Sequence, residues 1–337
     1  MVEPALIVPP DPDERWHLAT QMGVEKAVIH PLEIGDGRTD WTYDDLQGLS
    51  NWLESAGLEF AVLEGSVPIS DRIRLGREGR DEDIAVFKRF VRDCGAVGVP
   101  VICYDWMAGV RWARTAAHVP ARGGSYVTEF DVERTQARGT PGSSSGPGSD
   151  HDPSPASEVG DVTHEDVWEA LEHFLAEVVP VAEEAGVRLA LHPDDPPRES
   201  LRGIPRVVTS IDAYDRVLDA SDSPANAITF CQGNFAAMGV DIPDAIEHFG
   251  EDVAFVHFRD IEGDADRFTE TWHDNGPTDM LAAMEAYETY VENDVPMRPD
   301  HVPTMAGEDN SNPGYHTKAR LFAIGYMRGL SEQANAG

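Results

Sequence analysis

A chain of 337 residues, 41% of them hydrophobic, can bury a sizeable core, and it has no apolar run of the roughly 18 residues that a membrane helix needs. Its 61 acidic residues against 26 basic ones give a formal net charge of −35, which excludes nucleic acid and anionic membrane surfaces as partners. An acidic disordered chain is opposed by the apolar content, so the charge reads as a solvated surface suited to high salt, the composition of halophilic proteins.

The opening stretch MVEPALIVPP lacks a basic region followed by a long apolar segment, so a cytoplasmic protein is expected. Ala5–Val8 reads as a strand, followed by a helix near Asp13–Met22 and a second strand at Lys26–His30. Tyr43–Ala56 has Leu46, Leu49 and Leu53 on one helical face. Glu59–Glu64 is a third strand, Asp81–Cys94 a helix and Val99–Tyr104 a fourth strand. Ala113–Gly160 then reads as long and irregular. Its Gly/Ser/Pro-rich part, 136–160 with Thr140–Ser154 at its centre, is a flexible surface insertion. Regularity resumes with an amphipathic helix at His164–Ala185, capped by Thr163. Strands follow at Arg188–His192, Ala227–Cys231, Val253–Phe258 and Val295–Asp300. Helices fall at Ile211–Asp219, Ile242–Phe249, Met280–Glu292 and Pro313–Arg328.

Eight strand–helix pairs predict an α/β chain folded as one (β/α)8 TIM barrel over residues 1–337, with an open doubly wound sheet as the structural alternative. No G-x-G-x-x-G follows the first strand, and neither a Walker phosphate loop nor a G-x-S-x-G elbow is present. The three cysteines, Cys94, Cys103 and Cys231, form no disulfide framework and fit a reducing compartment.

His192, Cys231, His257 and Asp300 each stand at the C-terminal end of one of the last four predicted strands. In a barrel those ends converge on one face, where two imidazoles, a thiolate and a carboxylate make a first shell for a divalent metal. His192 opens HPDDPP, whose prolines hold a rigid non-helical loop, and Asp194 and Asp195 could orient a ligand histidine. Cys231 leads CQGN, where Gly233 permits close backbone approach. His301 follows Asp300 in MRPDH, and NPGYH lies before the last helix.

These segments carry a resemblance. CYDWMAGVRWART (Cys103–Thr115), HPDDPP with GIPRVV (Gly203–Val208), TFCQGN, FVHFRD (Phe255–Asp260), MRPDH and NPGY (Asn312–Tyr315) resemble the mannonate dehydratases of hexuronate catabolism, within the xylose-isomerase-like barrel superfamily. The resemblance implies metal-dependent dehydration of D-mannonate to 2-keto-3-deoxy-D-gluconate. It implies Mn2+ or Fe2+ on His192, Cys231, His257 and Asp300, and His301 and Tyr315 as the acid/base pair. By ligand softness zinc is an alternative. Asn234 and Arg259 are candidate contacts to the sugar acid, since Arg can grip a carboxylate through two parallel hydrogen bonds. A homo-oligomer is expected. Two departures bear on substrate identity: Phe268 is followed by Thr269 where the family often has His, and Val302 and Pro303 replace the usual Gly-His after His301. A sugar isomerase or epimerase of the same superfamily, a dehydratase of a related aldonate and a non-catalytic sugar-acid binding protein are the other readings.

Overall fold

The computed structural model describes residues 1–30, 41–65, 67–135 and 159–336. Eight parallel strands close a barrel: β1 (Glu3–Val8), β2 (Lys26–Ile29), β3 (Glu59–Glu64), β4 (Val101–Asp105), β7 (Arg188–His192), β10 (Asn226–Cys231), β11 (Val253–Phe258) and β14 (Pro296–Pro299). Each pairs with its neighbours in chain order, and β14 returns to β1. All eight expected barrel strands are present. Alternation along β1 shows how the barrel packs. Leu6 and Val8 join the large core between strands and helices, whereas Ala5 and Ile7 belong to a separate buried cluster with Val28, Ala61, Ala190, Ala227 and Ala254. Successive strand residues face opposite sides, and small side chains suit a narrow interior.

The surrounding helices form where local chemistry starts and stops them. On the helix Tyr43–Ser55, Thr42 and Asp45 build a capping box, and Leu46, Leu49 and Leu53 are buried on one face. The 22-residue helix His164–Ala185 repeats the device with Thr163 and Asp166, and it ends at Gly186, whose φ of 69° lies in the left-handed region. Phe174 on that helix packs against Phe87, Tyr104 and Trp106 at centroid distances of 5.2, 5.8 and 5.1 Å, tying helix Arg80–Val97 and strand β4 together.

The region read as irregular, Ala113–Gly160, is a correction. It contains β5 (Ala116–Pro120) and β6 (Tyr126–Asp131). They join β13 (Arg267–Glu270) and β12 (Ile261–Gly263) in a four-stranded antiparallel sheet of order β12-β13-β6-β5, while β8 (Ser200–Leu201) and β9 (Ile204–Pro205) pair with each other. The pairing partner of β6 lies far along the chain, with Asp131 in register with Arg267, so no local periodicity announces it. Residues 136–158 of the expected insertion lie outside the described residues. The last helix begins at Thr317 instead of Pro313, because Gly314 pairs with Val302 across an isolated bridge. Among the described residues no helix is long and apolar enough to cross a membrane.

Candidate active site

The C-terminal ends of the barrel strands bring the distant side chains together. His192 is the last residue of β7, Cys231 the last of β10, His257 the fifth of β11, and Asp300 directly follows β14. Ligand atoms of His192, Cys231 and His257 lie within 4.8 Å of one another. His192 Nε2 is 3.2 Å from His257 Nδ1. Asp300 stands at the edge of this trio, its Oδ2 3.7 Å from His257 Nδ1.

The protonation pattern tests whether these residues fit a cation. His192 Nδ1 lies 2.7 Å from the Pro193 carbonyl, which can only accept, so Nδ1 carries the hydrogen and Nε2 presents a lone pair. Burial lowers the His192 pKa and keeps the ring neutral. Buried His257 Nε2 has Glu64 Oε1 at 3.3 Å without hydrogen-bond geometry. A proton on Nε2, facing that carboxylate, leaves Nδ1 bare as well. Two lone pairs converging beside a sulfur and a carboxylate are what a divalent cation needs, and a carboxylate behind a ligand histidine is the usual orienting partner. The residues fit.

Burial opposes ionisation of Asp300, but Arg298, with its Nη1 2.8 Å from Oδ1, outweighs it and holds the carboxyl well below its usual range. Arg298 also donates to Glu64 through Nε at 2.7 Å and through Nη2, so one guanidinium fixes two site carboxylates. Glu64 was not singled out from the sequence. It ends β3 as His192 ends β7, and a carboxylate closing the apolar run EFAVLE was the available signal.

The predicted acid/base pair is adjacent. His301 Nε2 lies 3.1 Å from the Tyr315 hydroxyl. The bridge between Val302 and Gly314 sets this spacing, with Val302 N–H donating to the Gly314 carbonyl at 2.8 Å. His301 has a φ of 38°, a left-handed backbone that side chains seldom adopt. Its Nδ1 faces Glu270 Oε1 at 2.9 Å and the guanidinium groups of Arg114 and Arg259 at 2.8 and 2.9 Å. Trp112 packs against both members of the pair, at 5.2 and 5.9 Å.

Beneath the pair lies a buried ionic lattice. Asp195 receives two hydrogen bonds from Arg114, at 2.6 and 3.1 Å, and one from Arg259 at 2.9 Å. Burial would raise the Asp195 pKa, yet the two arginines hold it far below the usual range. Glu270 is likewise kept ionised against its burial, by Arg259, His301 and Arg114. Asp194 instead accepts from Arg206 at 3.0 Å and from the Val207 and Val208 N–H groups, anchoring the HPDDPP loop. So these two acids are buried structural partners and not exposed charges.

Asn234 and Arg259 are each 1% exposed. Asn234 accepts from Cys231 Sγ at 3.0 Å and donates to the Asp194 carbonyl at 2.7 Å. Arg259 donates to Cys231 Sγ at 3.3 Å and pairs with Asp195, Glu270 and Asp300. The cavity above is lined by His30, Glu64, Arg111, Trp112, His301 and Tyr315, among others, but not by Asn234, Arg259, Thr269, Val302 or Pro303. The two departures noted in the sequence therefore stand outside its wall.

His273 supplies a pH prediction. It is 1% exposed, and its Nε2 lies 2.8 Å from the Phe258 carbonyl. Burial lowers its pKa from 6.5 to about 4. Above pH 6.5 both folded and unfolded chains hold it neutral, whereas between 6.5 and 4 only the unfolded chain gains the proton. Acidification through that window should cost roughly 3 kcal/mol, and H273Q should remove that part of the slope. Denaturant unfolding at pH 7 and pH 4 measures it; equal slopes in both proteins would refute the assignment.

Residues 16–336 match the D-mannonate dehydratase (UxuA) family. The mannonate dehydratase of Streptococcus pneumoniae is 32% identical over 323 residues, covering 92% of this chain and 87% of that protein. That of Thermotoga maritima is 34% identical over 336 residues, covering 92% and 91%. The crystal structure of mannonate dehydratase from Streptococcus suis superposes with a TM-score of 0.87 at 30% identity, over 100% of this chain and 96% of that one. A D-tagatose 3-epimerase-like protein shares the barrel alone, with a TM-score of 0.61 at 11% identity. A match that runs almost end to end, in sequence as in backbone, makes this chain a member of the D-mannonate dehydratase family.

Proposed function

We propose that this chain removes water from D-mannonate to give 2-keto-3-deoxy-D-gluconate, with a divalent cation, Mn2+ or Fe2+, on His192, Cys231, His257 and Asp300. The observation that carries it is the approach of His192 Nε2 to His257 Nδ1 beside Cys231, next to the His301–Tyr315 contact. When bound, the cation would polarise the substrate carboxylate and C2 hydroxyl, making the C2 proton removable.

The chain's own groups divide the remaining work. Burial and the Asp300 carboxylate push the Tyr315 phenol above its usual range, so it stays protonated and acts as the acid. His301 is the base. This role takes the tautomer with Nδ1–H toward Glu270 Oε1, 2.9 Å away, which leaves the Nε2 lone pair facing the cavity. Nε2 takes the C2 proton, the C2–H electrons form the C2–C3 double bond, and the C3–O bond breaks as Tyr315 protonates the departing hydroxyl. Water and an enol result, and the enol tautomerises to the 2-keto acid. The proton on Nε2 can then return to Tyr315 across 3.1 Å.

The acidic surface is proposed as an adaptation to high salt, which sets the assay conditions. Metal-reconstituted protein in high salt, given a panel of aldonic acids, should form a 2-keto-3-deoxy acid from D-mannonate. An isomerase would return an isomeric sugar without loss of water. Failure of every aldonate to yield the keto acid, with metal bound, would overturn the proposal.

A further inference from the structure

Among the described residues, two arginines border the cavity, Arg111 and Arg298. Arg298 is buried and holds Glu64 and Asp300. Arg111 is different. Its side chain is 37% exposed, and only Nη2 is engaged, by Asp105 and by the Gly65 carbonyl at 3.5 Å. Among the described residues, Nε and Nη1 of Arg111 have no protein acceptor, so three of its five N–H donors are unengaged on a side chain that lines the cavity.

Asp105 has partners besides Arg111, although Arg111 is the charge that most favours its ionised form. It also meets Arg74 Nη2 at 3.4 Å and accepts from the Met107 N–H at 3.1 Å. Arg111 can therefore turn part of its hydrogen bonding toward a ligand without orphaning a buried carboxylate. Position favours the same role. Asp105 on β4 is in register with His192 on β7, which sets Arg111 beside the strand end that carries a candidate ligand. Arg259 and Asn234, the contacts expected from the sequence, lie below the cavity wall with protein partners of their own.

We propose that Arg111 grips the carboxylate of the sugar acid and makes the cavity select an acid over the neutral polyol of the same carbon skeleton. This rests on the sugar-acid reading of the site. A guanidinium meets a carboxylate through charge-assisted, potentially paired hydrogen bonds, whereas a polyol offers it only neutral ones.

The test is calorimetric binding of D-mannonate and of D-mannitol to Mn2+-loaded H301N protein, with and without R111Q. R111Q should weaken D-mannonate binding by about ten- to a hundredfold and leave D-mannitol unchanged. R111K, which keeps the charge but not the fork, should recover part of the loss and so exclude misfolding. Undiminished D-mannonate binding in R111Q, equal losses for both ligands, or a parent without preference for the acid would each overturn the proposal. The reaction is scored separately by product formation in the unmutated protein. Arg111-dependent binding without keto-acid product would sink the dehydratase reading and leave the clamp standing; product with Arg111-independent binding would do the reverse.

Discussion

H257A is expected to lose its cation and its activity together. His257 presents Nδ1 to His192 Nε2 at 3.2 Å and to Asp300 at 3.7 Å, so it stands at the centre of the donor set. Removing it leaves one imidazole, a thiolate and a carboxylate that Arg298 and Arg259 already hold. Orienting partners of ligands alone are worth ten- to a hundredfold in metal affinity, so loss of a ligand should cost at least about a hundredfold. Metal content after dialysis, with turnover measured on the same sample, is the check. A variant that retains one Mn2+ per chain would remove the proposed centre.

H301N should separate chemistry from metal binding. A general base contributes about 10²- to 10⁴-fold, so turnover should fall by that order while metal content is unchanged. Asparagine suits the comparison because it tolerates the left-handed backbone at this position, where φ is 38°. Full turnover in H301N would eliminate the base. Y315F, measured alongside, should also be slow, since it removes the acid while keeping the ring against Trp112.

The sequence made the barrel legible for a physical reason. A parallel strand buried on both faces is a short apolar run, and a covering helix has one apolar stripe, so each unit carries its own signature. Four metal-competent side chains at strand ends were readable by the same logic. The antiparallel sheet β12-β13-β6-β5 was not. Its strands are short, and its central pairing joins Asp131 to Arg267 across 135 intervening positions. With it went Glu270, which the sheet delivers to His301. The different settings of Arg259 and Arg111 were likewise invisible, because both are arginines beside a site residue or motif. Burial separates them: one is 1% exposed within an ionic lattice, the other has a side chain 37% exposed to the cavity.

By itself, then, the chain's order of residues determined the strand and helix units, the acidic composition and the set of candidate site side chains. These depend on local periodicity, composition and position within an element. Only the tertiary structure decided which charges meet: that Arg298 joins Glu64 to Asp300, that Glu270 reaches His301, and that Arg111 keeps donors free at the cavity. Such contacts arise from barrel closure and long-range sheet pairing, and their distances are unrelated to separation along the chain.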